Sequence, residues 1–158
     1  MTNPVIIDAA PGSSHVDIAR EFDAPVAAVF AAHADPDLFV RWIGPRNLEN
    51  TLPHWDFRSG GGYAFDQKDA DGTVYGFRGV IHTVVENELI IQTFEYLGTP
   101  NEVSLDIIRF ESLPGGRSRL TSRSLFPSPE ALEGMVAEGM GDGVTEGYEK
   151  LDELLKGR

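Results

Sequence analysis

Residues 126–157 read FPSPEALEGMVAEGMGDGVTEGYEKLDELLKG, and the spacing of apolar side chains in this stretch decides the fold. Leu132, Val136, Gly139, Met140, Val144, Tyr148, Leu151 and Leu155 recur mostly at threes and fours, which places them on one face of a helix. Ser128 suits the N-cap, Pro129 the first helical position, and Glu130 the positive end of the dipole. A full capping box is missing, because Ala131 stands where Glu or Gln is needed. Lys156 and Gly157 read as the stop. A continuous helix of this length spans roughly 40 Å, enough to cross a small domain.

Glycine is unusually frequent in this helix. Gly134, Gly139, Gly141, Gly143 and Gly147 each cost about 1 kcal/mol relative to alanine in a helix interior, so packing must hold the element together. Gly139, Gly143 and Gly147 are four apart and form a bare stripe beside Met140, Val144 and Tyr148. Two readings follow: a sheet approaches closely along the stripe, or space is left there for a guest.

The rest of the chain bounds what the helix can serve. With 158 residues, 41% hydrophobic and 24% charged, it has the size and balance of one globular core. The formal net charge of -12 repels phosphate backbones and anionic membrane surfaces, so nucleic acid and membrane are not expected as partners. Cysteine is absent, which removes disulfides, thiol nucleophiles and thiolate metal sites together. Met1 to Pro11 lacks a basic start followed by an apolar core, and no apolar run reaches membrane-spanning length, so a cytoplasmic location is the expectation.

Residues 1–14 contain Pro4, Pro11 and Gly12 with weak periodicity and read as an irregular lead-in. From His15 to Phe22 the residues alternate, with Val16 and Ile18, joined by Arg20 and Phe22, on one face of a first strand. Asp23 offers a cap and Pro25 the first turn of a short helix carrying Val26, Val29 and Phe30 inward, with His33 following. Asp35 and Pro36 open a second short helix with Leu38, Phe39 and Trp42, ended by Gly44 and Pro45. Strands are then expected near 51–58, 62–67, 74–85, 89–97, 103–111 and 118–126, separated by short turn-forming gaps that favour hairpins. The economical way to bury both the apolar face of an antiparallel meander and the C-terminal stripe is to curl a sheet of about seven strands around the long helix. The class is α+β, with two short helices after the first strand.

Several runs now carry a family resemblance. They are Arg20-Glu-Phe-Asp-Ala-Pro25, Asp35-Pro36 leading to Arg41-Trp-Ile-Gly-Pro45, Asp56-Phe-Arg-Ser-Gly-Gly61, Gly79, Gly134-Met-Val-Ala-Glu-Gly-Met140, and Gly147-Tyr-Glu-Lys-Leu-Asp-Glu-Leu154. In this order they resemble the Aha-type branch of the START-like (SRPBCC) superfamily, small bacterial relatives of the activator domain of heat-shock ATPase. The likeness covers roughly Val16 to Leu155. It implies a helix-grip fold over 15–157 with a cavity between sheet and C-terminal helix, used by relatives to bind apolar or amphipathic small molecules, sometimes with chemistry added. Co-chaperones of this kind usually carry an additional N-terminal domain, so a chaperone partner is an open but unsupported expectation.

Residues that could carry chemistry are scattered. His15, His33, His54 and His82 fall on separate elements without local ligand spacing, so no metal is expected. Ser59-Gly-Gly-Gly62 reads as a hairpin turn and lacks the lysine and helix of a phosphate loop. Asp66, Glu95 and Asp106 lie in strands, where any that faces inward is a buried charge needing a partner, with Arg58, Arg78, Arg109 and Arg123 as the strand cations. Aromatics are the better lead. Trp42, Trp55, Tyr63, Phe65, Tyr75, Phe77 and Tyr148, with Met140 and Val144, are the expected lining of the cavity. Tyr63 should point with Phe65, and Tyr75 with Phe77, Gly79 and Ile81, while a hydroxyl or indole donor from Tyr148 or Trp42 would orient the guest.

The expected function is binding of a small, largely apolar molecule with no resident cofactor. Two other classes remain: a cyclase- or hydrolase-type enzyme, which needs inward-facing polar groups, and a co-chaperone-like interaction module, which needs an exposed patch. A second copy of the chain is a further candidate partner.

Overall fold

The computed structural model describes residues 3–156; Gly157 of the expected stop lies outside the described residues. The strands are β1 (Ile6–Asp8), β2 (His15–Phe22), β3 (Glu49–Asp56), β4 (Gly62–Lys68), β5 (Val74–Val85), β6 (Leu89–Tyr96), β7 (Ser104–Leu113) and β8 (Arg117–Leu125). They form one curled antiparallel sheet in the order β1-β2-β8-β7-β6-β5-β4-β3. The helices are α1 (Val26–Ala34) and α2 (Pro36–Trp42) after β2, then α3 (Pro129–Ala137) and α4 (Met140–Lys156). This is the α+β helix-grip architecture, with eight strands among the described residues rather than about seven. The added strand is β1, inside the stretch read as irregular. It owes its place to pairing with β2 (Ile6 opposite Ala19, Asp8 opposite Asp17), a long-range contact that leaves no periodic signal in so short a segment.

Burial on β2 alternates as the sequence requires, with Val16, Ile18, Arg20 and Phe22 inside. Asp35 caps α2 by accepting from the Asp37 N–H at 2.9 Å, and Ser128 caps α3 by accepting from Ala131 N–H at 3.1 Å. At α1 the N-cap is Pro25 with no side-chain cap, and Asp23 instead accepts from the Arg117 guanidinium at 2.8 Å. In β5 the register shifts between Ile81 and Thr83. That bulge carries Ile81 into the core before it and Val84 against the core after it, which is why both faces of this strand read as apolar.

The single C-terminal helix of the sequence reading is two helices. Gly139 adopts φ +94, a left-handed conformation that ends α3 just beyond its Glu138 cap, and α4 restarts at Met140. The grip helix proper is therefore about 26 Å long, and Val136, expected inward, is 50% exposed on the short helix before the break. Leu151 and Leu155 of α4 sit in the main core with Phe22, Phe30, Trp42, Phe110 and Leu120, while Leu132 of α3 joins Val16 and Ile18 in a second cluster. Tyr148 packs against both clusters.

The glycine stripe divides into three different roles. A Cβ on Gly147 would lie 3.3 Å from the Gly44 nitrogen and from the Trp42 carbonyl oxygen, so the backbone of the loop after α2, and not the sheet, presses on the helix there. Gly143 has only the Pro45 ring near its missing side chain, at 3.8 Å, and is part of a cavity wall. Gly139 is the break itself.

Candidate functional site: a cavity under the grip helix

Between the inner face of the sheet, the loop after α2 and the first half of α4 lies a cavity of about 530 Å³. That is within the size range of small-molecule sites. Its walls follow from strand alternation. Tyr63 pairs across from Gly79 and Phe65 across from Phe77, which itself lies opposite Tyr96, so one face of β4, β5 and β6 is a sheet of rings. Phe65 and Phe77 stack at 4.8 Å, Phe77 and Tyr96 at 5.1 Å. Trp42 and Tyr148 stack at 6.0 Å where α2 meets α4. The structure places Trp42, Trp55, Tyr63, Phe65, Tyr75, Phe77, Met140, Val144 and Tyr148 on this wall.

Of the two donors expected to orient a guest, the Trp42 indole is already engaged. The Trp42 indole N–H donates to the Ala32 carbonyl at 2.8 Å, and that of Trp55 to Ala34 at 3.1 Å, so both tie the end of α1 to the core and neither is free to orient a guest. Tyr63 donates its hydroxyl proton to the Thr93 carbonyl at 2.6 Å, crossing directly over Gly79, where a side chain would collide with both groups. Burial holds the phenols of Tyr63 and Tyr148 well above the usual tyrosine pKa, with the charge of Asp106 adding to the effect, so both are protonated at neutral pH.

His33 lines the same cavity between Trp42, at 4.8 Å, and Phe110, at 5.1 Å. Its Nδ1 lies 2.8 Å from the Val29 carbonyl, which can only accept, so the proton sits on Nδ1. Burial pushes its pKa down from 6.5 to about 4, against the opposing hydrogen bond to Val29. In the unfolded chain the ring takes up a proton below pH 6.5, in the folded one only below about 4, so acid favours unfolding within that window. Stability should therefore fall by about 3 kcal/mol between these limits on account of His33 alone. Asp17, Glu21, Asp23, Glu95 and Glu153, with lowered values, act in the same sense only near and below the ordinary carboxylate range, whereas Asp106, with a raised value, opposes them. Urea denaturation at pH 6.5 and 4.5 isolates the His33 share as the difference from His33→Leu. An equal pH slope in both chains would contradict it.

The group that the sequence left unplaced is Asp106. Of the three strand acids considered, Glu95 is held by the Arg78 guanidinium at 2.8 Å and by the Asn101 N–H at 2.8 Å. Asp106 instead faces the cavity. Gln92, Asp106 and Ser124 lie directly opposite one another on β6, β7 and β8, forming one polar row across the floor, and the Ser104 hydroxyl donates to Asp106 at 3.1 Å. Burial pushes the Asp106 pKa up, and hydrogen bonds from Ser124, Ser104 and Gln92 pull it part of the way back. Ser122, one row along between Ile18 and Ile108, also reaches the cavity. The strand cations Arg58, Arg78 and Arg123 pair with acids while themselves largely exposed, and the buried pair among the described residues is Arg20 with Asp152 of α4, at 3.6 Å.

The loop after α2 closes one side. The Arg46 N–H donates to Glu146 at 2.9 Å, its guanidinium pairs with Glu149 and Glu153, and Lys150 reaches the carbonyls of Ile43 and Pro45 at 3.5 and 3.4 Å. Asn50 donates from below to the carbonyls of Val40 and Ile43 at 3.0 and 2.8 Å. No helix among the described residues is long and apolar enough to cross a membrane.

Solved structures share the fold. A protein from Arthrobacter aurescens superposes with a TM-score of 0.87 at 28% identity over 97% of this chain and 92% of its own. Ms6760 from Mycobacterium smegmatis does so at 0.86 and 26%, over 96% and 97%. The AHSA1 protein SPO3351 from Silicibacter pomeroyi, at 21% identity and a TM-score of 0.72 over 90% and 97%, shares the fold. Among curated proteins none matches the chain. The model of the Activator of Hsp90 ATPase homolog 1-like proteins matches residues 23–156, from just before α1 to the end of α4, and the chain belongs to that family.

Proposed function

We propose that the protein binds a small, largely apolar molecule in the cavity between the sheet and α4. The observation that carries this reading is the cavity itself: about 530 Å³ of space, walled by stacked rings on the strands and by Met140, Gly143, Val144 and Tyr148 on the helix. Apolar contact area supplies the affinity, at about 25 cal/mol per Å² removed from water. Gly143 contributes by omission, since any side chain there would grow toward the cavity. The family resemblance and the shared fold point in the same direction without naming a ligand.

The test is a fluorescence titration with naphthylethanol, a neutral bicyclic probe that fits the volume. Saturable one-to-one binding with a matching rise in melting temperature is expected. A probe signal that never saturates up to its solubility limit, with no change in melting temperature, would contradict the proposal.

A further inference from the structure

The floor of the cavity asks something more of its occupant than apolarity. We infer that the ligand carries a cationic nitrogen, an ammonium group on an aromatic or aliphatic body, and that Asp106 on the cavity floor is the anchor for that charge. The inference rests on the cavity reading and narrows it to a class of molecule.

Three observations lead there. The first is that Asp106 is an acid without a cation. Among the described residues the nearby basic groups are engaged elsewhere: Arg78 with Glu95, Arg123 with Asp17 on the outer face, and Arg20 with Asp152. A carboxylate set in a low-dielectric floor and lacking a counter-charge is costly, and it becomes favourable when a partner of opposite sign arrives. The second is how its other lone pairs are used. Ser104 donates to one carboxyl oxygen at 3.1 Å, and the neutral Gln92 and Ser124 stand directly opposite Asp106 on the neighbouring strands, so an incoming ammonium meets an anion already held among neutral polar groups. A buried ion pair gains net stability under that condition and seldom otherwise.

The third observation is the wall above the floor. Phe65, Phe77, Phe94 and Tyr96 are linked ring to ring at 4.8 to 6.3 Å, and Trp42 stacks on Tyr148. Aromatic faces carry negative quadrupole density and attract cations. The same rings repel a carboxylate or phosphate, as does Asp106. The protein's net charge of -12 attracts cations from solution and slows approach of anions.

Three probes that share one ring system and differ only at the end group decide the matter: naphthylethylamine, naphthylethanol and naphthylacetate, titrated near pH 7 by calorimetry. The amine is expected to bind about tenfold or more tightly than the alcohol, a step of one decade in Kd, and the carboxylate most weakly. In Asp106→Asn the amine should fall to the level of the alcohol, while the alcohol keeps its affinity within about threefold. Asp106→Ser serves as a second variant if the asparagine chain melts below the assay temperature. An amine that binds no tighter than the alcohol, or whose advantage survives both substitutions, overturns the inference and leaves the cavity reading standing. Failure of all three probes to bind overturns both.

Discussion

Asp152→Ala should lower the stability of the protein by about 3–5 kcal/mol, the range found when one member of a buried ion pair is removed. Arg20 is 2% exposed and Asp152 6%, and their charged groups lie 3.6 Å apart beneath the C-terminal half of α4. The guanidinium also lies 4.7 Å over the Phe22 ring and donates to the Glu21 carbonyl at 2.7 Å, so it cannot swing out to water without leaving the core. Removing the carboxylate strands that charge against apolar side chains. Lys156, which reaches the other oxygen of Asp152 at 3.0 Å, is half exposed and loses little. The double variant Arg20→Met, Asp152→Leu should recover most of the loss, because apolar groups of similar volume replace a buried pair at little cost. Urea denaturation of the two variants is the check. A loss below about 1 kcal/mol for Asp152→Ala would mean that the pair is solvated and does not pin α4 to β2.

The second large effect concerns binding. Ser122 lines the cavity from the sheet and Gly143 lines it from α4, so Ser122→Phe with Gly143→Phe fills the space from two walls. A naphthyl body that buries about 200 Å² of apolar surface gains about 5 kcal/mol from that burial. Excluding it should weaken naphthylethanol binding by about a hundredfold or more, at roughly 1.4 kcal/mol per decade. The fold should tolerate the change. The new rings occupy space where packing is absent, Gly143 has no neighbour closer than 3.8 Å to its missing Cβ, and a glycine is removed from a helix interior. The melting temperature is therefore expected to hold or rise while binding is lost. Retained affinity in a stably folded double variant would place the probe somewhere other than under α4.

Much of the fold was legible because single physical rules governed long segments. Alternation along β2 and β4 and the caps at Asp35 and Ser128 each led to the observed element. Alternation also puts the rings of β4 and β5 on one face, where Tyr63 and Phe65 meet Tyr75 and Phe77. What was not legible depended on choices that one residue type leaves open. Glycine at 139 serves a close-packed stripe and a left-handed helix stop equally well, and the φ of +94 selects the second. β1 exists through its partner and not through its own pattern.

Asp106 was hidden by register. Both faces of β7 mix polar with apolar side chains: Ser104 and Asp106 with Ile108 and Phe110 inward, Leu105 and Ile107 with Arg109 and Glu111 on the other face. A signal was nevertheless present, because Gln92, Asp106 and Ser124 fall opposite one another once the turns at 98–101 and 114–116 fix the hairpins. Polar residues aligned on successive strands of an otherwise apolar face mark the floor of a site. The Trp42 indole shows the converse, where a donor that could serve a ligand is used to fasten a helix end.

The account stands most directly on where a ligand sits. Heteronuclear NMR of the labelled protein, titrated with naphthylethanol, reads this residue by residue. Shift changes should concentrate on the methyl groups of Met140, Val144, Ile90 and Ile108 and on the Tyr148 ring, and leave the outer-face Val74 and Val80 unmoved. Changes confined to Val74, Val80 and their exposed neighbours, with the α4 methyls silent, would contradict it.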